Sequence, residues 1–223
     1  MMTNLFSIFN PISSLLQMNM NWLSMFIIIT LLMKMYWTKD SRITKMIYYV
    51  KNKINLDYKK MSKEKLPMIL LMSLMGFILI NNIFGLLPYI FTSTTHLVIT
   101  MLMSMMMWIS ITMIMWTKNI KKTMTHMIPE NTPMFLSPFM AIIELISSMI
   151  RPITLSVRLT ANMMAGHMII NLISSTCEKM SDMKIIMITT MVQSMVMLLE
   201  IMVALIQAYV FTTLTLLYIN ETN

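Results

Sequence analysis

The chain has 223 residues, of which 57% are hydrophobic and 12% charged, with a formal net charge of +8 and a mean hydropathy of +0.71. A soluble domain carries about a quarter charged residues, because its surface must stay hydrated; this chain has too few, and its apolar stretches of roughly 18 residues or more are long enough to cross a bilayer core of ~30 Å. A water-soluble fold is excluded, and three glycines with no alternation of apolar and polar positions exclude a β-barrel, so the segments are read as helices.

The opening MMTNLFSIFNPISS has no basic residue before Lys34. It has neither the positive region of a signal peptide nor the Arg-rich face of a transit peptide. The 34 methionines replace Leu and Ile at similar volume. Codon bias in an AT-rich organellar genome explains that count, so a mitochondrially encoded protein is expected.

The first expected crossing covers residues 21–37, with Trp22 and Trp37 as interfacial anchors. Residues 38–66 form a polar stretch, rich in basic residues. Within it Ile43, Ile47, Val50 and Ile54 recur at steps of three and four, which predicts a one-sided helix lying on the matrix face of the membrane. A helical hairpin is expected over 67–117, its two spans joined by the uncharged turn FTSTTH. After a short loop with Lys118, Lys121 and Lys122, two long segments fill 134–218, separated by the mixed-charge turn CEKMSDMK.

The expected fold is therefore an all-α integral membrane protein forming a single membrane domain over 1–223. It has about five embedded helices and one amphipathic surface helix. Nearly all loop lysines and arginines follow the first and third spans. The positive-inside rule then puts the N-terminus outside and the C-terminus inside, meaning the matrix. Each long segment is about 40 residues, or ~60 Å as a helix, twice the hydrocarbon thickness. Pro152 could break the first of them, but no polar loop follows it. The segments are expected to be strongly tilted and paired as a hairpin.

Charged groups inside such helices cost ~2.5–3.5 kcal/mol each on insertion scales and are functional candidates by default. They are Glu144, Arg151, Arg158 and His167 on the first long helix and Glu200 on the second, with Asn162, Gln193 and Gln207 adding hydrogen-bonding groups. Glu144, Arg151 and Arg158 are seven residues apart and share a stripe, with Asn162 beside it at the next turn; Gln193, Glu200 and Gln207 repeat the spacing on the partner helix. His167 lies nine residues beyond Arg158, about half a turn round. Arg158 keeps its charge and suits a fixed barrier, whereas Glu200 and His167 can titrate near neutral pH and suit proton transfer. Ala161, Ala165 and Gly166 leave a shallow surface that another helix can approach.

Plainer readings stand beside these. Any single polar residue can simply tie helices together, Arg151 can pair with Glu144 or snorkel, and His96 and His126 suit an interface. Cys177 can form no internal disulfide, and no metal site is expected. The lysine-rich stretch suits anionic lipid rather than nucleic acid.

Four runs carry a family resemblance: NNIFGLLPYIFTSTTHL (Asn81–Leu97), HMIPENTP (His126–Pro133), SVRLTANMMAGH (Ser156–His167) and LEIMVALIQAYVFTTLTLLY (Leu199–Tyr218). With the opening MMTNLFSIFNP they resemble, in order, the subunit a family of rotary ATP synthases, and the likeness spans nearly the whole chain. It implies a proton-conducting stator subunit of the mitochondrial inner membrane, partnered by the c-ring, the peripheral stalk and other membrane subunits, with no cofactor of its own. Arg158 is similar to the arginine that faces the c-ring and separates two half-channels, with Asn162 and Gln207 as its polar neighbours. His167 and Glu200 match the inlet half-channel, and Glu144 the outlet. Arg151 stands where some relatives carry an uncharged residue. No nucleotide-binding motif is present, so ATP chemistry would reside in partners. The other classes are a self-contained secondary transporter, for which repeated halves and Gly/Pro-broken helices are missing, and a structural membrane subunit, which would need no titratable stripe.

Overall fold

The computed structural model describes residues 6, 9–12, 19–25, 41–61, 66–87, 90–118, 120, 128, 133–179 and 182–222. Among them the regular structure is helical throughout, with five long helices: α1 (Arg42–Met61), α2 (Leu66–Gly85), α3 (Leu97–Lys118), α4 (Ser137–Lys179) and α5 (Met183–Thr222). Four stretches of described residues are long and apolar enough to cross a membrane: Met68–Gly85, Leu97–Thr117, Ser137–Cys177 and Met183–Asn220. The chain is an all-α integral membrane protein. The crossing expected over 21–37 lies, beyond residue 25, outside the described residues, as does HMIPENTP apart from Ile128 and Pro133.

Local chemistry sets the helix starts. The Ser41 hydroxyl accepts the Thr44 backbone N–H at 3.2 Å, capping α1. Pro138 sits in the first turn of α4, where its missing N–H costs nothing. Asp182, a residue type favoured at helix starts, offers its carbonyl to Ile185 and Ile186 at the head of α5. Inside the spans, serine and threonine hydroxyls turn back onto carbonyls three or four residues earlier, as Thr100, Ser104, Thr160 and Thr212 do. These side chains are satisfied within their own helices and need no functional explanation.

The bundle is held along two seams. Ile78 of α2 meets Leu155 and Leu159 of α4 and Ala208 and Phe211 of α5; farther along, Leu86, Met163 and Ala204 form a small cluster. Ala204 and Ala208 are almost wholly buried, and their small side chains let α4 and α5 approach closely. Outward-facing residues such as Met113, Met187, Ile188 and Met195 are exposed and apolar, as a lipid-facing surface requires.

α4 runs 43 residues without interruption and carries Pro152 inside it. Its length is ~65 Å at 1.5 Å per residue, about twice a ~30 Å hydrocarbon core. α5 returns beside it in antiparallel register. Successive contacts run from Cys177 with Thr189, through Gly166 with Glu200, to Arg151 with Tyr218.

The apolar stripe of α1 is only partly used. Ile54 packs on the core, but Ile47 and Val50 are exposed, and the side chain of Ile43 lies outside the described residues. What buries the helix is Tyr58, fully enclosed among Leu71, Met75, Met107 and Leu216. The C-terminal half of α1 is what reaches the bundle: Ile54 and Tyr58 pack on the core, and Lys51 lines a groove against α2. The Tyr58 hydroxyl bonds to the Thr212 hydroxyl, and Asn220 donates to the Met61 carbonyl at 2.6 Å. The last helix thus clasps α1 at two points. Burial pushes the Tyr58 phenol above its ordinary range, the Thr212 hydrogen bond opposes that shift, and nearby Tyr209 adds to it.

Candidate functional site along the α4–α5 hairpin

The charged and amide groups separate into three places along the hairpin. At the first, Arg158 lies exposed on α4, at the edge of a narrow groove shared with Leu155, Leu159, Gln207, Val210 and Phe211. Gln207 of α5 thereby shares a groove with Arg158, the rest of its lining being apolar. Asn162 is half-buried one turn farther along α4. An arginine held open on an otherwise apolar, lipid-length helix needs an external partner or an aqueous path to offset the cost of its charge.

The second place is deeper. Glu200 on α5 is only 9% exposed, and neither of its carboxylate oxygens has a hydrogen-bond partner among the described residues. Its carboxylate rests on the bare backbone of Gly166: an alanine methyl there would stand 2.7 Å from Glu200 Cδ and 2.7 Å from Oε1. Glycine is what permits the approach. His167, the next residue, is half-buried with its Nε2 likewise unpartnered, and its ring meets Phe9 edge-on at 6.4 Å. Asn171, one turn on, has its side-chain amide nitrogen in the same condition. Buried polar groups are normally paired; here titratable and amide groups along this part of the hairpin have polar atoms without partners among the described residues.

The third place is an ion pair. Arg151 approaches Glu144 at 3.8 Å, both side chains being partly exposed, and the Arg151 guanidinium lies 4.9 Å from the centre of the Tyr218 ring. Glu144 and Arg151 therefore join one another, and Arg151 reaches the end of α5, while Arg158, on the same sequence stripe, shares a groove with Gln207.

Periodicity did not reveal three of these features. They are the seat that Gly166 makes for Glu200, the Phe9 ring against His167, and Tyr218 under Arg151. A signal for the first was a glycine in an apolar helix of a chain with only three glycines; the other two depend on segments distant in sequence. Among the described residues no cluster of His, Cys, Asp and Glu could hold a metal ion.

The fold and the site define a class: a multi-pass helical membrane protein with charged and titratable groups set inside one long antiparallel hairpin. The family model of the ATP synthase A chain matches residues 15–220. Similar full-length proteins include "ATP synthase F(0) complex subunit a" of Rhopalosiphum padi, 40% identical over 224 residues and covering 99% of this chain and 100% of that protein. "ATP synthase subunit a" of Anopheles gambiae is 38% identical over 226 residues, and that of Drosophila melanogaster 39% over 226 residues, each covering 100% of both chains. The chain belongs to the ATP synthase A chain family.

Proposed function

We propose that this chain is the proton-conducting stator subunit of a rotary F-type ATP synthase in the mitochondrial inner membrane, providing two half-channels to and from the c-ring. The observation that carries the reading is the exposed position of Arg158 on the hairpin, with Gln207 beside it. A fixed cation there is open to a partner's carboxylate. Its N-terminus would face the intermembrane space and its C-terminus the matrix, with α1 on the matrix surface and the peripheral stalk and other membrane subunits around it.

A proton arriving from the intermembrane side would pass the Glu200 and His167 place and neutralise a c-subunit carboxylate. That carboxylate could then face lipid at low cost. After nearly a full rotation it would meet Arg158, which favours the ionised form by charge attraction. The released proton would leave by Glu144. Arg158 does not release its own proton, so it keeps the two paths from joining, while Asn162 and Gln207 orient polar contacts around it. Each charge moved delivers about 2.3 kcal/mol per 100 mV. ATP chemistry resides in the partner subunits.

The test is ATP synthesis and proton flux in membranes carrying Arg158→Ala, with assembly followed by native gel. Coupled synthesis is expected to be lost in an intact complex. Normal synthesis by an assembled variant would remove Arg158 from the mechanism and turn the reading toward a structural subunit.

A further inference from the structure

The geometry points to a binding site for one anionic phospholipid of the bilayer in the groove between α1 and α2, independently of proton transfer. The groove encloses about 650 Å³, within the ~300–1,000 Å³ usual for ligand clefts. Its two sides differ in chemistry. One wall presents Lys51, Asn55 and Lys59 of α1; the other presents Met68, Ile69 and Met72 of α2.

The α1 residues are spaced four apart and form one face. Lys51 and Lys59 lie eight residues, ~12 Å, apart along the helix with Asn55 midway, and both flexible stems reach toward a phosphate seated over the asparagine. Neither lysine has an ion pair among the described residues. Asp57, the one acidic residue of α1, is 3.8 Å from Lys60, and neither lines the groove. Among the described residues the cationic wall is thus without an anion of its own. Met68 and Ile69 open the apolar span that runs to Gly85, and Ile69 is 77% exposed. An occupant must therefore be anionic at the α1 end and oily along α2. A free phosphate would leave the methionine wall bare, whereas a diacyl phospholipid matches both walls, its phosphodiester at the lysines and one acyl chain along the start of α2. Basic pockets beside membrane helices select acidic headgroups in this way.

The experiment uses the intact complex in nanodiscs of phosphatidylcholine doped with a photoactivatable phosphatidylglycerol or, separately, a photoactivatable phosphatidylcholine. Labelling of the peptide holding Met68–Met72 is read by mass spectrometry over a titration of the probe. The phosphatidylglycerol probe is expected to label it at much lower doping than the phosphatidylcholine probe. Lys51→Gln and Lys59→Gln should each weaken half-saturation about fivefold, and together roughly thirtyfold. Lys45→Gln, on the same helix outside the groove, should leave it unchanged. In the wild-type complex, raising salt toward 1 M should weaken labelling by screening, which tests the charge dependence even if a variant fails to assemble. Equal labelling by both probes, labelling indifferent to the lysines and to salt, or cross-linking of this wall to a neighbouring subunit in place of lipid would each overturn the proposal.

Discussion

Glu200 is the residue whose environment differs most from ordinary protein interiors. A carboxyl group in a membrane helix, enclosed and without a hydrogen bond among the described residues, carries a desolvation cost that no neighbour offsets. If it relays protons, Glu200→Gln should keep the shape and lower proton flux about a hundredfold or more, the scale of a lost acid–base group, while the complex still assembles. Flux unchanged in reconstituted vesicles would remove it from the path. Gly166→Ala probes the same place from the opposite helix. Its methyl meets the far end of a flexible side chain, so Glu200 can swing aside at about 0.5–1.5 kcal/mol of rotamer strain. The variant should therefore assemble with nearly unchanged thermal stability and conduct protons poorly. A loss of assembly would show instead that the glycine serves packing alone.

At the scale of the element, α1 illustrates how little of an amphipathic pattern needs to be used. The stripe Ile47, Val50, Ile54 was legible from spacing, yet of these only Ile54 packs on the core, beside the fully buried Tyr58. Its hydroxyl and its ring contribute separately. In Tyr58→Phe the Thr212 hydroxyl still bonds to the Ala208 and Tyr209 carbonyls, so nothing is left unsatisfied and the loss should be about 0.5–1.5 kcal/mol. Tyr58→Ala empties a fully enclosed site and should cost about 3–5 kcal/mol. Proteolytic release of α1 in the purified complex distinguishes them: rapid for alanine, close to wild type for phenylalanine. Equal behaviour of the two would mean that the hydrogen bond, not the ring, holds the helix.

At the scale of the whole molecule, the 43-residue α4 and the 40-residue α5 exceed the bilayer by about a factor of two. They are expected to cross it obliquely, since a buried polar turn at midspan would leave backbone groups unpaired. A cysteine scan of α4, in a chain whose native Cys177 is replaced by serine, checks this. Well over 20 consecutive positions should resist a membrane-impermeant maleimide, apart from an accessible patch around Arg158. Protection limited to about 20 positions would indicate an upright span with its ends in water.

Hydropathy and helical spacing were enough to decide the class of this protein. Apolar stretches of membrane length, few charges and no alternation leave only helices, because in lipid each backbone group must be satisfied within its own segment. The same local argument singled out Arg158, His167, Glu200 and Glu144, since a charge in such a helix is conspicuous wherever it points. Which groups meet was decided only by the tertiary structure. Glu144, Arg151 and Arg158 share a stripe in sequence, yet Arg151 joins Glu144 and Tyr218 while Arg158 shares a groove with Gln207. Glu200 settles on Gly166, thirty-four positions away. Periodicity reports the face of one helix, whereas these pairings depend on the register between two, at whose contact small residues such as Ala204 and Ala208 are buried.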